Sequence, residues 1–194
     1  MRITTLLPPR HWAGARELPA FRRDLPRARR LLSEAGYGPN NPLRLEYKTS
    51  TDPFRLRIAH VFQQQFASVG IELTISSYDW GTFFGDIKAG RFQLYSLAWV
   101  GVNTPDILRY AFHSDSRPPG GANRGHYRSA AVDRLIEQAE QLAPRFAAPL
   151  YRAAQRQIHN DLVYVPLWYE KNVSASRGLT GYAPAFDGSY LALN

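Results

Sequence analysis

Between Leu43 and Val100 the hydrophobic period changes from two to about 3.6 and back, twice. Leu43, Leu45 and Tyr47 alternate with Arg44, Glu46 and Lys48, the pattern of a half-buried strand. Thr51-Asp52-Pro53 then opens a helix. Leu56, Ile58, Ala59, Phe62, Phe66 and Val69 follow at helical spacing, and Gly70 ends it. Ile71, Leu73 and Ile75 alternate again. Asp79 is placed to cap a short helix over 80–89, with Phe83, Phe84 and Ile87 facing inward. Phe92 to Val100 reads as a strand buried on both faces, because its apolar end is nearly continuous. This strand–helix–strand–helix–strand order predicts an α/β layer with right-handed crossovers.

The flanks are less regular. Residues 1–23 are rich in Pro and Arg, lack periodicity and read as an irregular basic N-terminal segment. Asp24 and Pro26 start a helix with an apolar stripe of Ala28, Leu31, Leu32 and Ala35, closed by Gly36. After the central layer, Thr104 reads as an N-cap with Pro105 at the first helical position. Residues 113–128 read as a surface loop. Ser129 caps a helix carrying Val132, Leu135, Ile136 and Ala139. A last helix is set to begin near Ala147, because Pro149 inside a helix removes a hydrogen bond. Val163 to Tyr169 reads as a strand, with a further strand over Val173 to Ser176.

The chain has 194 residues, the size of one ordinary domain, and 44% of them are apolar, which argues against global disorder. It has no cysteine, hence neither a disulfide framework nor a thiol nucleophile. No apolar run has the length of a bilayer span. The opening residues do not form a secretory signal peptide, so the chain is expected to be cytoplasmic or a fragment of an exported parent. The net charge is +8, and eight arginines between Arg2 and Arg30 face only Glu17 and Asp24. The motifs of nucleic-acid binding are missing, so these cations read as a solvated surface and nucleic acid is not expected as a partner.

Catalysis finds little support. His11, His60, His113, His126 and His159 form no HExxH and no i,i+4 pair, so no metal site is expected. There is no GxSxG elbow and no phosphate-cradling glycine loop. No enzyme and no cofactor is expected. Trp80 and Trp99 stand at the ends of elements, where aromatic rings line a cleft as readily as they fill a core.

Six segments in order carry a resemblance. DLPRARRLLSEAG, FQQQFASVGIELTISSYDW, KAGRFQLYSLAWVG, HSDSRPPGGANRGHYRSAAVDRLIEQA, YVPLWYEKN and GYAPAFDGSY together resemble the C-terminal lobe of the family 5 extracellular solute-binding proteins, the peptide-binding components of ABC importers. The resemblance runs from about Leu7 onward. It implies part of the second lobe of a type II periplasmic-binding-protein-like fold, a mixed sheet flanked by helices, with residues 24–194 forming the incomplete lobe. It also implies non-catalytic capture of a peptide or similar small solute between two lobes and delivery to a membrane permease. The parent protein would be periplasmic or at the cell surface. A missing lobe or self-association would cover apolar surface left exposed.

By the same resemblance the ligand-binding residues are Trp80, Trp99, Val102, Asn103, Thr104 and Thr49. Where family members place an acidic residue for the peptide α-amine, this chain has Val102. Where some place an arginine for the carboxylate, it has Thr49. Both charged anchors are thus replaced, which points to an apolar, hydrogen-bonding cleft. Asp106 reads as a helix-dipole partner, and Arg124 as paired with a carboxylate. A solute-sensing domain of a bacterial transcription regulator is the alternative role.

Overall fold

A computed structural model of the chain describes residues 3–8, 11–169 and 177. They belong to two compact units, one of residues 22–97 and the other of residues 1–21 with 98–194.

The 22–97 unit is organised around one central strand. Its elements are α1 (Leu25–Glu34), β1 (Leu43–Ser50), α2 (Pro53–Ala67), β2 (Ile71–Tyr78), α3 (Trp80–Lys88) and β3 (Leu94–Tyr95). The sheet order is β2-β1-β3. Both pairings are parallel, so the α/β class holds, while the sheet expected to be mixed is parallel over the described residues. The β1–β2 register runs without a slip from Leu43 opposite Ile71 to Ser50 opposite Tyr78. Tyr47 and Leu73 face α2, packing with Ala59, Phe62 and Phe66. Lys48, one residue on, points to the other face and meets Asp86 of α3. The two helices therefore cover opposite faces of the sheet.

Each helix start follows its capping chemistry. Asp24, Asp52 and Asp79 accept hydrogen bonds from the backbone N–H of Arg27, Arg55 and Thr82 respectively. Gly36 and Gly70 follow the first two helices at φ +84° and +88°, the left-handed region that suits glycine. The apolar stripe expected to be buried on α1 is not: α1 has no buried residue, and Leu31 is 51% exposed. Of the three inward phenylalanine and isoleucine positions on α3, Phe83 and Ile87 are fully buried, while Phe84 is half-buried under the Trp80 ring.

The long doubly buried strand over 92–100 does not form. Only Leu94 and Tyr95 pair, opposite Tyr47 and Lys48, and Val100 is 87% exposed. The Gln93 side chain takes the Glu46 N–H. The chain leaves this unit after Leu97, and Trp99 packs against the core of the other unit. A continuous apolar run therefore serves two cores in turn rather than one strand.

The second unit is helical among the described residues: α4 (Asp106–Phe112), α5 (Ala130–Glu140) and α6 (Pro144–Asn160). Leu108 and Phe112, Val132 and Ile136, and Tyr151, Ala154 and Ile158 form its core. Arg109 grips Glu140 with two N–H donors, each 2.7 Å from its own carboxylate oxygen, and ties α4 to α5. The segment 3–8 and 11–21 has neither helix nor strand, but it is part of this unit rather than separate from it: Leu7 and Ala13 lie in the same core. Buried Gln155 of α6 donates to the Ala13 carbonyl and accepts from the Thr5 hydroxyl.

Three expectations fail here for local reasons. The 113–128 loop is not simply on the surface. His113, Ala122 and Asn123 are buried, and the Asn123 side chain, 1% exposed, donates to the carbonyls of His113 and Tyr127 and accepts the Tyr127 N–H. A loop that closes its own hydrogen bonds can be buried. The last helix begins at Pro144, not near Ala147, with Pro149 inside it. Pro149 and Arg145 are both exposed, so the Arg145 carbonyl that loses its donor faces water. Residues 163–169 form no strand beyond a bridge position at Trp168. The strand expected at Val173 to Ser176 lies outside the described residues.

The ion pair between β1 and α3 is the most enclosed charge interaction of the 22–97 unit. Lys48 Nζ is 2.8 Å from Asp86 Oδ2, and Arg91 lies 2.6 Å from Asp86 Oδ1. Hydrogen bonds from Lys48, then Arg91, hold the Asp86 carboxyl below its ordinary value of 3.8. The hydrogen bond to Asp86 raises Lys48 above its ordinary 10.5. The pair therefore stabilises fully between these values, and its contribution fades as pH falls below 3.8 or climbs past 10.5.

Two predictions follow from this packing. In Asp86→Asn, urea midpoints measured against pH should fall less steeply at the acid end than in the wild type; an unchanged acid limb would show that the pair contributes nothing. Phe83→Ala should cost about 3–5 kcal/mol, read by urea unfolding through Trp80, the only tryptophan of residues 22–97. A loss below about 1 kcal/mol would mean that α3 does not depend on this side chain.

Candidate functional site

In an open parallel sheet the carboxyl ends of the strands form the edge where ligands are held, because the following helices begin there. The unbroken β1–β2 register brings both ends level, and the Thr51 N–H closes the edge by donating to the Tyr78 carbonyl, 2.9 Å. From this edge Asp52 starts α2 and Asp79 starts α3. Hydrogen bonds from Thr82 hold the Asp79 carboxyl below its usual range, consistent with its capping role.

Two of the residues expected from sequence stand here. Thr49, near the end of β1, is 2% exposed. Trp80 is the first residue of α3 and is 52% exposed. Its ring is held flat against Phe84, with centroids 5.5 Å apart and planes 8° from parallel. The Arg55 guanidinium lies over the Trp80 ring, 5.5 Å from its centroid, and one N–H reaches the Ser96 carbonyl at 3.4 Å. The Ser96 hydroxyl shares a 2.6 Å hydrogen bond with Tyr47, whose phenol burial pushes upward. Together these make a flat aromatic shelf, a guanidinium and a small set of hydroxyls.

Arg55 and Ser96 were not anticipated. A signal for Arg55 existed in the chain. It sits in the first turn of α2, three residues after the cap, where a cation opposes the helix dipole. A cation placed against that preference needs a reason, and the reason became visible only once Trp80 and Ser96 stood beside it.

The other four expected residues belong to the other unit. They lie in the irregular segment 98–105, which turns at Gly101 with φ +71°. Trp99 and Val102 are half-buried against that unit's core. Trp99 meets Tyr110 edge-on, and the Arg124 guanidinium lies 5.1 Å from its ring centroid. Asn103 is exposed, with its backbone carbonyl 3.2 Å from His11 Nε2. Thr104 does not cap α4. Its hydroxyl donates to Asp106 Oδ2 at 3.0 Å, and Pro105 occupies the cap position without a side-chain hydrogen bond. Asp106 does occupy the first turn of α4, as its dipole role requires. Among the described residues no group of three His, Asp or Glu is arranged to hold a metal ion.

The profile described as "Bacterial extracellular solute-binding proteins, family 5 Middle" matches residues 2–118. The chain is 31% identical to di/tripeptide-binding protein 2 of Pseudomonas aeruginosa over 82% of its own length and 31% of that protein's. It is 30% identical to the periplasmic oligopeptide-binding protein OppA of Salmonella typhimurium, over 81% of its own length and 30% of the relative's. In structure it superposes on the periplasmic binding protein DppA of Helicobacter pylori, solved with the peptide STSA, with a TM-score of 0.77 and 26% identity, covering 86% of this chain and 33% of that one. The chain thus spans about a third of the length of the relatives it matches. With a profile match over more than half of its residues and the same α/β layer in the solved relative, the chain belongs to the bacterial extracellular solute-binding proteins of family 5.

Proposed function

We propose that this chain contributes part of the ligand-holding surface of an ABC-importer substrate-binding component for peptides or similar small organic solutes, working in the periplasm or at the cell surface. The role is capture without chemistry, followed by release to a membrane permease. The observation that carries the reading is the carboxyl edge of the 22–97 sheet. There a half-exposed indole, a guanidinium and polar groups from three elements converge. Such a shelf suits a peptide, which presents flat amides and apolar side chains together. The names of the relatives, which bind di- and tripeptides or oligopeptides, support the ligand class. The reading extends by resemblance to Trp99, Val102, Asn103 and Thr104. Thr49 is a supporting residue of the edge rather than a contact, since it is nearly inaccessible.

A surface that spans a third of its relatives' length offers one wall of an enclosure. Affinity in such binding comes from enclosing the ligand, so this chain by itself should bind peptides weakly. Di-, tri- and longer peptides added to about 10 mM should shift the indole N–H resonances of Trp80 and Trp99, while calorimetry at micromolar protein should record no saturable heat. Silent indoles would refute the peptide reading, and micromolar affinity would refute the one-wall reading.

A further inference from the structure

β2 is the outer strand of the 22–97 sheet, with β1 on one side and no strand among the described residues on the other. Eight residues in register without a bulge make a template for a further strand, because the outward main-chain groups lack partners. Which groups face out follows from one hydrogen bond. The Tyr78 carbonyl turns to the β1 side, where it accepts the Thr51 N–H. Main-chain direction alternates along a strand, so the N–H and C=O groups of Ile71, Leu73, Ile75 and Ser77 face outward.

One of these groups is already taken. Gln63 of α2 reaches over the edge and donates a side-chain N–H to the Leu73 carbonyl at 2.7 Å. The opposite side of the sheet is treated alike. There the Gln93 side chain takes the Glu46 N–H, one register position before the Leu94–Tyr47 pair with which β3 begins. On each side, then, a glutamine amide stands where a strand would otherwise bond.

β2 also matches itself. Paired antiparallel with a second copy about Ile75, Leu73 lies opposite Ser77 of the second copy, and Ile75 opposite its own equivalent. Outward groups then meet outward groups throughout. Glu72 is the one charged side chain of the strand. It is tied to Arg44 at 2.8 Å, and in this pairing it meets Tyr78 of the second copy rather than another carboxylate. No charge on β2 opposes self-pairing, whereas the occupied Leu73 carbonyl does.

We propose that Gln63 closes the β2 edge, and that the pairing it prevents is with β2 of a second copy. Two-fold symmetry makes the one glutamine act twice, because each copy brings a blocked Leu73 carbonyl to the same ladder.

Sedimentation velocity of the full chain over a range of protein concentrations measures dimerisation. Gln63→Met keeps the side-chain length and removes the donor. Its dimer should be at least about tenfold tighter than that of the wild type, since each freed carbonyl adds a hydrogen bond. Gln63→Lys carries a donor back to Leu73 and should dimerise no more than the wild type. Where Gln63→Met dimerises, hydrogen exchange should slow at the N–H groups of Leu73, Ile75 and Ser77. It should not change at Glu72 and Thr74, whose N–H groups already face β1. If circular dichroism shows that Gln63→Met does not fold, Gln63→Ser, too short to reach Leu73, takes its place. Equal dimerisation of the wild type and the donor-free variant would overturn the proposal, as would a lysine variant as dimeric as the methionine one. A variant dimer without slowed exchange at the three N–H groups would place the interface elsewhere and also overturn it. So would a wild type already dimeric with those groups protected, since the edge would then be open despite Gln63.

Discussion

The candidate edge depends on the register between β1 and β2. Eight consecutive residue pairs align without a bulge, from Leu43 opposite Ile71 to Ser50 opposite Tyr78. A slip of β1 by one residue would turn Tyr47 away from α2 and carry Lys48 away from Asp86. It would also stagger the two carboxyl ends, so that α2 and α3 no longer began side by side. The position of Arg55 relative to Trp80 is therefore a consequence of strand pairing, although neither residue lies in a strand.

The forces holding that register differ on the two faces. On the α2 face the contacts are apolar, with Tyr47, Leu73, Ala59 and the ring of Phe62, and they are indifferent to direction. On the α3 face a charge pair adds direction, because Lys48 and Asp86 must meet at hydrogen-bond distance. Apolar burial supplies the drive and the ion pair selects one placement of α3, and with it the placement of the Trp80 ring. The helical unit uses the same division. Leu108, Val132 and Ile158 form the core, while Asn123 and the Arg109–Glu140 grip decide where a loop and a helix sit on it.

Much of the central layer was legible from local chemistry. The alternation of Leu43, Leu45 and Tyr47, the aspartates before α2 and α3, and Gly70 at the close of α2 each act within a few residues, so the chain states them directly. The failures share a physical cause. The apolar run at 92–100 has the composition of a buried strand, but Trp99 is used by a different core from Leu94. The α1 stripe has the period of a buried face, yet among the described residues it is at most half-buried. Pro149 moves the expected start of the last helix from Pro144 to near Ala147, because its cost depends on whether the orphaned carbonyl reaches water, which local sequence does not show. Of the six residues read as ligand contacts, Thr49 and Trp80 stand at one edge, and the other four lie in a separate unit. Arg55 was missed because an arginine becomes notable only when its neighbours are known.

The sequence by itself determined where the three helices and the first two strands of the 22–97 unit begin, because capping and periodicity are contacts between residues close in the chain. It also carried the family, through segments spread along its length. Tertiary structure alone decided which side chains meet one another. Such meetings include Lys48 with Asp86 and Arg55 with Trp80, between residues 38 and 25 positions apart. Only folding brings such partners within reach of one another.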